Sequence, residues 1–403
     1  MILKSEIEEI AHSQKKNILL KDLGVDRIVD WELPDIRSHA LILTGIRRCG
    51  KSTYMYQLMQ KTGRVCFFLN LDDPRLYGFD LNDFPRVLEI ISEGKYEYLF
   101  FDEIQLVDKW ERFVRQLVDL GEHHIVLSGS NATMLSRELG THLSGRHISK
   151  ELFPFSYEEF LNCTETQRGI DTVKSYLETG GFPAYVKSRY PEMLSDVLND
   201  IIYRDISVRF GVRNHHALQQ LSLYLISNVG KLITANSLRK LLPVASTSTM
   251  MEYLNYFENA YLAFYLPMFS YSYKKQIQNP RKVYAIDTGM VSANSTSFSN
   301  DEGRKFENLV FLSLRRRHNE IFYFSGKGEC DFVICKKGKP QSLIQVCLKL
   351  TRDNLKRELD GLHEAMEYFS IKQGLIVTLE QEDQFKKNSL KVIVKPFHQW
   401  ESF

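Results

Sequence analysis

Five short apolar runs, at residues 40–44, 65–71, 98–102, 125–128 and 147–152, are separated by amphipathic stretches. Strand-like runs alternating with helical patterns predict a mostly parallel α/β sheet. From 155 to 213 the pattern turns helical, interrupted by a turn at 179–183. Helices are expected over 218–227 and 234–242, and Ser246 is placed to cap a third that reaches Asn259. Met250, Leu254 and Phe257 share one face of this third helix. Two strand-like runs, 261–267 and 282–286, then flank a polar loop carrying Lys274, Lys275 and Arg281. Helix–turn–helix followed by a basic hairpin is the outline of a winged helix. A second α/β unit closes the chain. It has helices over 304–317 and 353–368 and strands at 321–324, 331–334, 342–348, 374–378 and 391–394.

The first strand runs into Gly45-Ile46-Arg47-Arg48-Cys49-Gly50-Lys51-Ser52, which fits the pattern GxxxxGK(S/T), and Thr53 follows at the start of a helical stretch. Glycines at this spacing allow a tight loop whose amides point inward at the N-terminus of a helix, where negative charge is already favoured. Lys51 is thereby assigned to the β- and γ-phosphates of a nucleotide and the Ser52 hydroxyl to Mg²⁺. About fifty residues on, the apolar run 98–101 ends in Asp102-Glu103. At the carboxyl end of a buried strand, Asp102 is expected beside Mg²⁺ and Glu103 is expected to polarise the attacking water. The strand at 125–128 leads to Ser130 and Asn131, and Asn131 or Ser130 is assigned as the γ-phosphate sensor, with capping of the next helix the competing role. Arg146 is the candidate arginine finger, in cis or from a neighbouring subunit, with Arg137 as the fallback.

Composition narrows the class without adding chemistry. The 403 residues are 43% apolar and 25% charged, which is ordinary for globular domains and excludes disorder and fibrous repeats. No apolar stretch is long enough for a membrane helix and the N-terminus lacks a signal-peptide core, so a cytoplasmic protein without membrane partners is expected. Six scattered cysteines form neither a CxxC pair nor a zinc pattern. Charge is uneven: residues 1–225 carry 27 basic and 32 acidic side chains, residues 226–403 carry 25 and 18. A basic C-terminal half favours a polyanionic partner, DNA being the candidate.

Taken together, TGIRRCGKST (44–53), LFFDEIQ (99–105), LSGSNATMLS (127–136), LSGRHISKELFPFSYEEFL (143–161), GGFPAYV (180–186), IYRDISVR (202–209), KVYAIDTGM (282–290), GRKFENLVFLSL (303–314) and ECDFVI (329–334) resemble a family of bacterial and archaeal predicted AAA-type P-loop ATPases. The C-terminal part of these proteins is a restriction-endonuclease-like domain of unknown function. The resemblance implies an α/β architecture in four parts: an AAA-like core at 1–154, a helical segment at 155–217, a winged helix at 218–290 and a restriction-endonuclease-like domain at 300–403. It implies ATP as the nucleotide, with Mg²⁺, and no guanine-reading NKxD motif follows the core. If Arg146 acts in trans, turnover needs a homo-oligomer.

The resemblance also carries a nuclease pattern: Glu on the helix, Asp opening a strand, and Glu-x-Lys or Gln-x-Lys on the next strand. Glu307 and Asp331 match the first two, and Gln345-Val346-Cys347 departs from the third. Lys349 shares a strand face with Cys347 but lies two residues, about 6.6 Å, further along. An inactive DNA-binding or structural remnant is the preferred reading, and an ATP-regulated nuclease using Lys349 is the alternative. Arg315–Arg317, Lys336, Lys337 and Lys339 are candidates for phosphate contacts. The helix opened by Ser246 holds no Lys or Arg to read base edges, so DNA contact by that module falls to Lys274, Lys275 and Arg281, and binding of protein stays open. A nucleotide-gated scaffold with slow hydrolysis is the remaining alternative.

Overall fold

The computed structural model describes residues 1–129, 145–295 and 301–400. They divide into two compact units, Met1–Pro154 with Asn259–Tyr261, and Phe155–Glu258 with Leu262–Phe403.

The first unit is built on a five-stranded, all-parallel sheet of β1 (Ala40–Thr44), β2 (Cys66–Asn70), β3 (Tyr98–Asp102), β4 (His124–Ser128) and β5 (His147–Glu151). The strand order is β2-β3-β4-β1-β5. Every residue of β1 and β4 is buried, which is why both read as near-continuous apolar runs. Helices α1 (Lys4–Leu19), α2 (Lys51–Thr62), α3 (Phe84–Gly94) and α4 (Trp110–Leu120) belong to this unit. Val87, Ile90 and Ile91 of α3 and Trp110, Phe113, Val114 and Leu117 of α4 join Phe67, Leu69, Leu99 and Phe101 in one core. Helix α1 shields the edge strand β2. Ile7, Ile10 and Ala11 pack into the core, while Gln14 accepts from the Asn70 amide (2.9 Å) and donates to its carbonyl (3.1 Å). One side chain thus satisfies backbone groups that an open sheet edge would leave unpaired.

The second unit begins with four helices, Tyr157–Thr164, Ile170–Thr179, Pro183–Ser188 and Met193–Asp200, the last continued by π-helical turns over Ile201–Val208. Next come a helix His215–Ser227, strand β6 (Leu232–Ile233), helices Ala235–Leu241 and Thr247–Asn259, then β7 (Ala263–Leu266) and β8 (Arg281–Ala285). The three strands form an antiparallel sheet in the order β6-β8-β7. Ser246 accepts from the Thr249 amide (3.0 Å), capping the third helix, whose Met250, Tyr253 and Phe257 are buried. Between β7 and β8, where sequence predicts only a polar loop, Tyr273–Gln278 forms a short helix with no buried residue. Its Lys and Gln residues are good helix formers that offer no apolar period to read.

Beyond a short helix Thr288–Asn294 and a long one Glu302–Arg317 lies a six-stranded mixed sheet. It comprises β9 (Ile321–Ser325), β10 (Glu329–Lys336), β11 (Lys339–Val346), β12 (Gln373–Thr378), β13 (Asp383–Lys387) and β14 (Leu390–Pro396), in the order β13-β14-β12-β11-β10-β9. Helix Leu355–Phe369 packs Leu362, Ala365 and Met366 against it. The edge strand β13 escaped the sequence reading because DQFKK is charged and almost wholly exposed, a composition that protects an edge and erases the apolar signal.

Two of the sequence stretches meet inside this unit. The buried Asp287 carboxylate accepts from the Gly181 amide (2.6 Å) and the Met290 amide (2.9 Å). Burial pushes this carboxyl up to about 6 against the pull of those amides. Gly180 sits at φ +70°, and a Cβ there would run into the Asp287 carboxylate, so only glycine fits the approach. GGFPAYV and KVYAIDTGM are thereby explained as a packing junction.

Candidate functional site

The loop after β1 turns through Gly45 at φ +147°, Arg48 at φ +62° and Gly50 at φ +99°. Positive-φ residues alternating with ordinary ones turn backbone N–H groups toward one side, making a concavity for an anion. A Cβ on Gly45 would collide with the Leu152 carbonyl, so that position accepts only glycine. Helix α2 starts at Lys51 directly after Gly50 and adds its unpaired first amides. Lys51 is 5% exposed, and its ammonium donates to the Gly45 carbonyl (3.0 Å) and the Ile46 carbonyl (3.1 Å). It is therefore folded into the loop, at the place where phosphate oxygens would compete for its protons. Ile46 and Cys49 are buried, Arg47, Ser52 and Thr53 are half-buried, and Arg48 is exposed.

Opposite this loop, β3 ends in Asp102, which is 1% exposed. Ser128, at the end of the intervening β4, donates to Asp102 Oδ1 and accepts from the Glu103 amide (3.2 Å). Ser128 also lies opposite Leu43 in the β1–β4 ladder, so one serine sets the spacing between the loop strand and the acidic strand. Asp102 Oδ2 is buried and has no hydrogen-bond partner among the described residues. Burial raises the Asp102 carboxyl above the usual aspartate range, opposed by the hydroxyls of Ser128 and Ser52 and by the charge of Lys51. A buried carboxylate oxygen without a donor, beside a hydroxyl and an ammonium, fits a hard cation, which takes oxygen ligands. Ser52 and Asp102 are the residues that would hold Mg²⁺.

Glu103 adopts the left-handed region at φ +52°, uncommon for a non-glycine residue and characteristic of functional sites. Its carboxylate accepts from the Gln105 side-chain amide. Burial raises its carboxyl above the ordinary glutamate range, Lys51 opposes this, and the charge of Asp102 adds to it. A half-buried carboxylate with an upward shift, held by a neighbouring amide, has the properties a general base needs.

Three residues that the sequence did not single out support this arrangement. Ser128 was legible only as the polar end of an apolar run, and Gln105 only by its nearness to Glu103. Arg27 gave no local signal at all. It is buried, and its guanidinium donates to the Cys49 carbonyl (2.8 Å) inside the loop and to the Phe153 carbonyl (2.7 Å). Arg27→Ala leaves two buried carbonyls short of a charged donor, at about 1.5–3 kcal/mol each. The expected outcome is a lower denaturation midpoint and weaker nucleotide binding, checked by chemical unfolding and ligand titration.

The remaining candidates fall differently. Arg146 is exposed, pairs with Asp119, and offers its carbonyl to the Ala40 amide (3.0 Å) at the start of β1. The loop leaves the opposite end of that strand, so the structure does not bring Arg146 to the nucleotide site of its own chain. Ser130, Asn131 and Arg137 lie outside the described residues. In the second unit, Glu307 and Asp331 are brought together with Gln345, whose Oε1 accepts from the Asp331 amide (3.1 Å). Lys349 is exposed and lies beyond the end of β11 at Val346, so the shared strand face on which the nuclease alternative rested does not extend to it. The lysine that does enter is Lys282, from β8.

Among the described residues no helix is long and apolar enough to cross a membrane. Residues 37–161 match the model of an AAA domain family, and residues 170–301 match a domain of unknown function. A parallel five-stranded core with a phosphate loop after its first strand agrees with that match: the first unit is an AAA-type P-loop domain. The chain belongs to the family of the uncharacterized protein MJ1544 of Methanocaldococcus jannaschii, to which it is 32% identical over 99% of its own length and 98% of that protein. An uncharacterized protein of Haemophilus influenzae is 29% identical over 87% of this chain and 92% of its own. Among solved structures, the ORC1 protein of Aeropyrum pernix in complex with DNA aligns at 11% identity, 73% and 92% coverage and a TM-score of 0.30. A RuvB mutant of Thermotoga maritima aligns at 15% identity, 66% and 91% coverage and a TM-score of 0.30.

Proposed function

We propose that the protein binds ATP with Mg²⁺ and hydrolyses it as an AAA-type switch or motor. The observation that supports this most is the convergence of Lys51, Ser52, Asp102 and Glu103 at the carboxyl ends of β1 and β3, parallel strands with β4 between them, where ligands gather in open α/β sheets. Each side chain has one task. The loop amides and Lys51 bind the β- and γ-phosphates. Ser52 and Asp102 orient Mg²⁺, which when bound neutralises charge on the phosphate oxygens. Glu103, fixed by Gln105, takes a proton from water aligned with the γ-phosphorus. Asn131 or Ser130 is proposed as the γ-phosphate sensor.

The second unit is proposed to convey the nucleotide state to DNA. Its helix, strand, two helices and two strands over 215–285, with the short helix Tyr273–Gln278 between the last two strands, follow the order of a winged helix, and 302–400 the order of a restriction-endonuclease-like domain. Lys274 and Lys275 are exposed between β7 and β8, and Lys336, Lys337 and Lys339 are exposed at the β10–β11 turn. Such lysines suit phosphate contacts without base readout. With Arg146 far from the nucleotide site of its own chain, an arginine supplied by a second subunit would make turnover depend on a homo-oligomer.

ATP turnover with and without duplex DNA tests this reading. The expected result is stimulation by DNA that fades as salt rises, since each phosphate contact releases counterions. Turnover indifferent to DNA at low salt would shift the assignment of the second unit to a protein partner.

A further inference from the structure

Lys282 is the second residue of β8, paired with Leu232 of β6 and Leu266 of β7, and its side chain is 4% exposed. Its ammonium reaches Glu307 Oε1 at 3.1 Å, Glu329 Oε1 at 2.5 Å and Asp331 Oδ1 at 2.8 Å. The ammonium donates to Glu307 and Asp331, and Glu329 is a third carboxylate paired with its charge. Burial alone would lower the lysine's pKa, but the carboxylates outweigh it and raise it well above the ordinary value, so the group is charged. Asp331 Oδ2 accepts from the Val346 amide (2.9 Å), and Glu307 Oε1 also accepts from the Tyr284 hydroxyl (2.6 Å). Gln345 Oε1 accepts from the Asp331 amide, while its Nε2 donates to Glu358 (2.7 Å).

The nuclease pattern requires Glu307, Asp331 and residue 345 to turn oxygen atoms toward one divalent ion. These residues do not fit that ion. Two of the three oxygens face an ammonium, and the third, an uncharged amide oxygen, is spent on a backbone N–H. We propose that Lys282 is a tethered cation standing where the divalent ion of a nuclease would lie, and that this centre clamps β8 to the helix Glu302–Arg317 and to β10 instead of cutting DNA. The inference concerns the second unit and is independent of the ATP assignment. Lysine serves as a compact point charge on a flexible stem, which suits it to fill an ion's position. Removing it leaves three carboxylates converging without a counterion, which is a cation site.

The test is Mn²⁺ binding, followed by calorimetry and by the paramagnetic signal of the free ion, in the full chain without nucleotide. An Asp102→Asn background removes the metal ligand of the phosphate site. With Lys282 intact, no saturable Mn²⁺ binding sensitive to Asp331→Asn is expected. With Lys282→Ala, one saturable Mn²⁺ per chain is expected, at least tenfold tighter than any residual binding to the chain with Lys282 intact, together with a thermal midpoint that falls in chelator and recovers with Mn²⁺. Adding Asp331→Asn should abolish that binding. If Lys282→Ala is not recovered folded, Lys282→Gln, one atom shorter and uncharged but still a two-proton donor, takes its place under the same reading. Mn²⁺ binding that depends on Asp331 while Lys282 is present would overturn the proposal, as would a folded Lys282 variant that gains no ion. Plasmid cleavage by the unsubstituted chain, lost on Asp331→Ala, would overturn it too and make Lys282 a catalytic lysine.

Discussion

Glu103→Gln should keep ATP bound and lose turnover by a factor of about 10²–10⁴, the usual contribution of a positioned general base. The substitution preserves shape and the contact with Gln105 while removing the only function that requires a negative charge. Nucleotide affinity should stay within a few-fold, because Glu103 is assigned to water and not to phosphate. The pH profile gives a second readout. Burial raises the Glu103 carboxyl, so its basic form is lost as pH falls through a value above the ordinary glutamate range. The acid limb of turnover should therefore lie above that range and should disappear from the residual activity of the glutamine variant. Wild-type turnover in Glu103→Gln would remove it from the mechanism.

Lys51→Ala should weaken ATP binding by at least about 100-fold, equivalent to about 2.7 kcal/mol. A buried ammonium that now satisfies two loop carbonyls would exchange them for charged phosphate oxygens, and hydrogen bonds involving charged groups are worth about 1.5–3 kcal/mol each. Loss of the side chain removes that gain and leaves the loop carbonyls short of a donor. Retention of tight ATP binding, measured by displacement of a fluorescent nucleotide, would place the phosphates elsewhere.

How far the sequence reveals this site depends on whether a residue's task is set locally. Gly45, Gly50, Lys51 and Ser52 are legible because a loop eight residues long imposes both backbone freedom and charge on consecutive positions. Asp102 is legible because a carboxylate ending an apolar strand has few other uses. Arg27 is not, because its partners, the carbonyls of Cys49 and Phe153, are backbone groups with no residue identity. Lys282 escaped for a related reason: in RKVYA it reads as one polar position of a half-buried strand, and only the tertiary fold brings it to Glu307, Glu329 and Asp331. Lys349 shows the converse: a face shared with Cys347 requires a continuing strand, but β11 ends at Val346 and the alternation does not carry on. Strand β13 and the helix Tyr273–Gln278 were invisible because exposed elements leave no apolar period.

The most direct test of the central claim is calorimetric titration of Mg²⁺-ATP into the full-length chain, paired with Lys51→Ala. One saturable site per chain, abolished by the substitution and weakened without Mg²⁺, is the predicted outcome. Absence of any binding heat in the folded wild-type chain, or binding that ignores Lys51, would contradict the account.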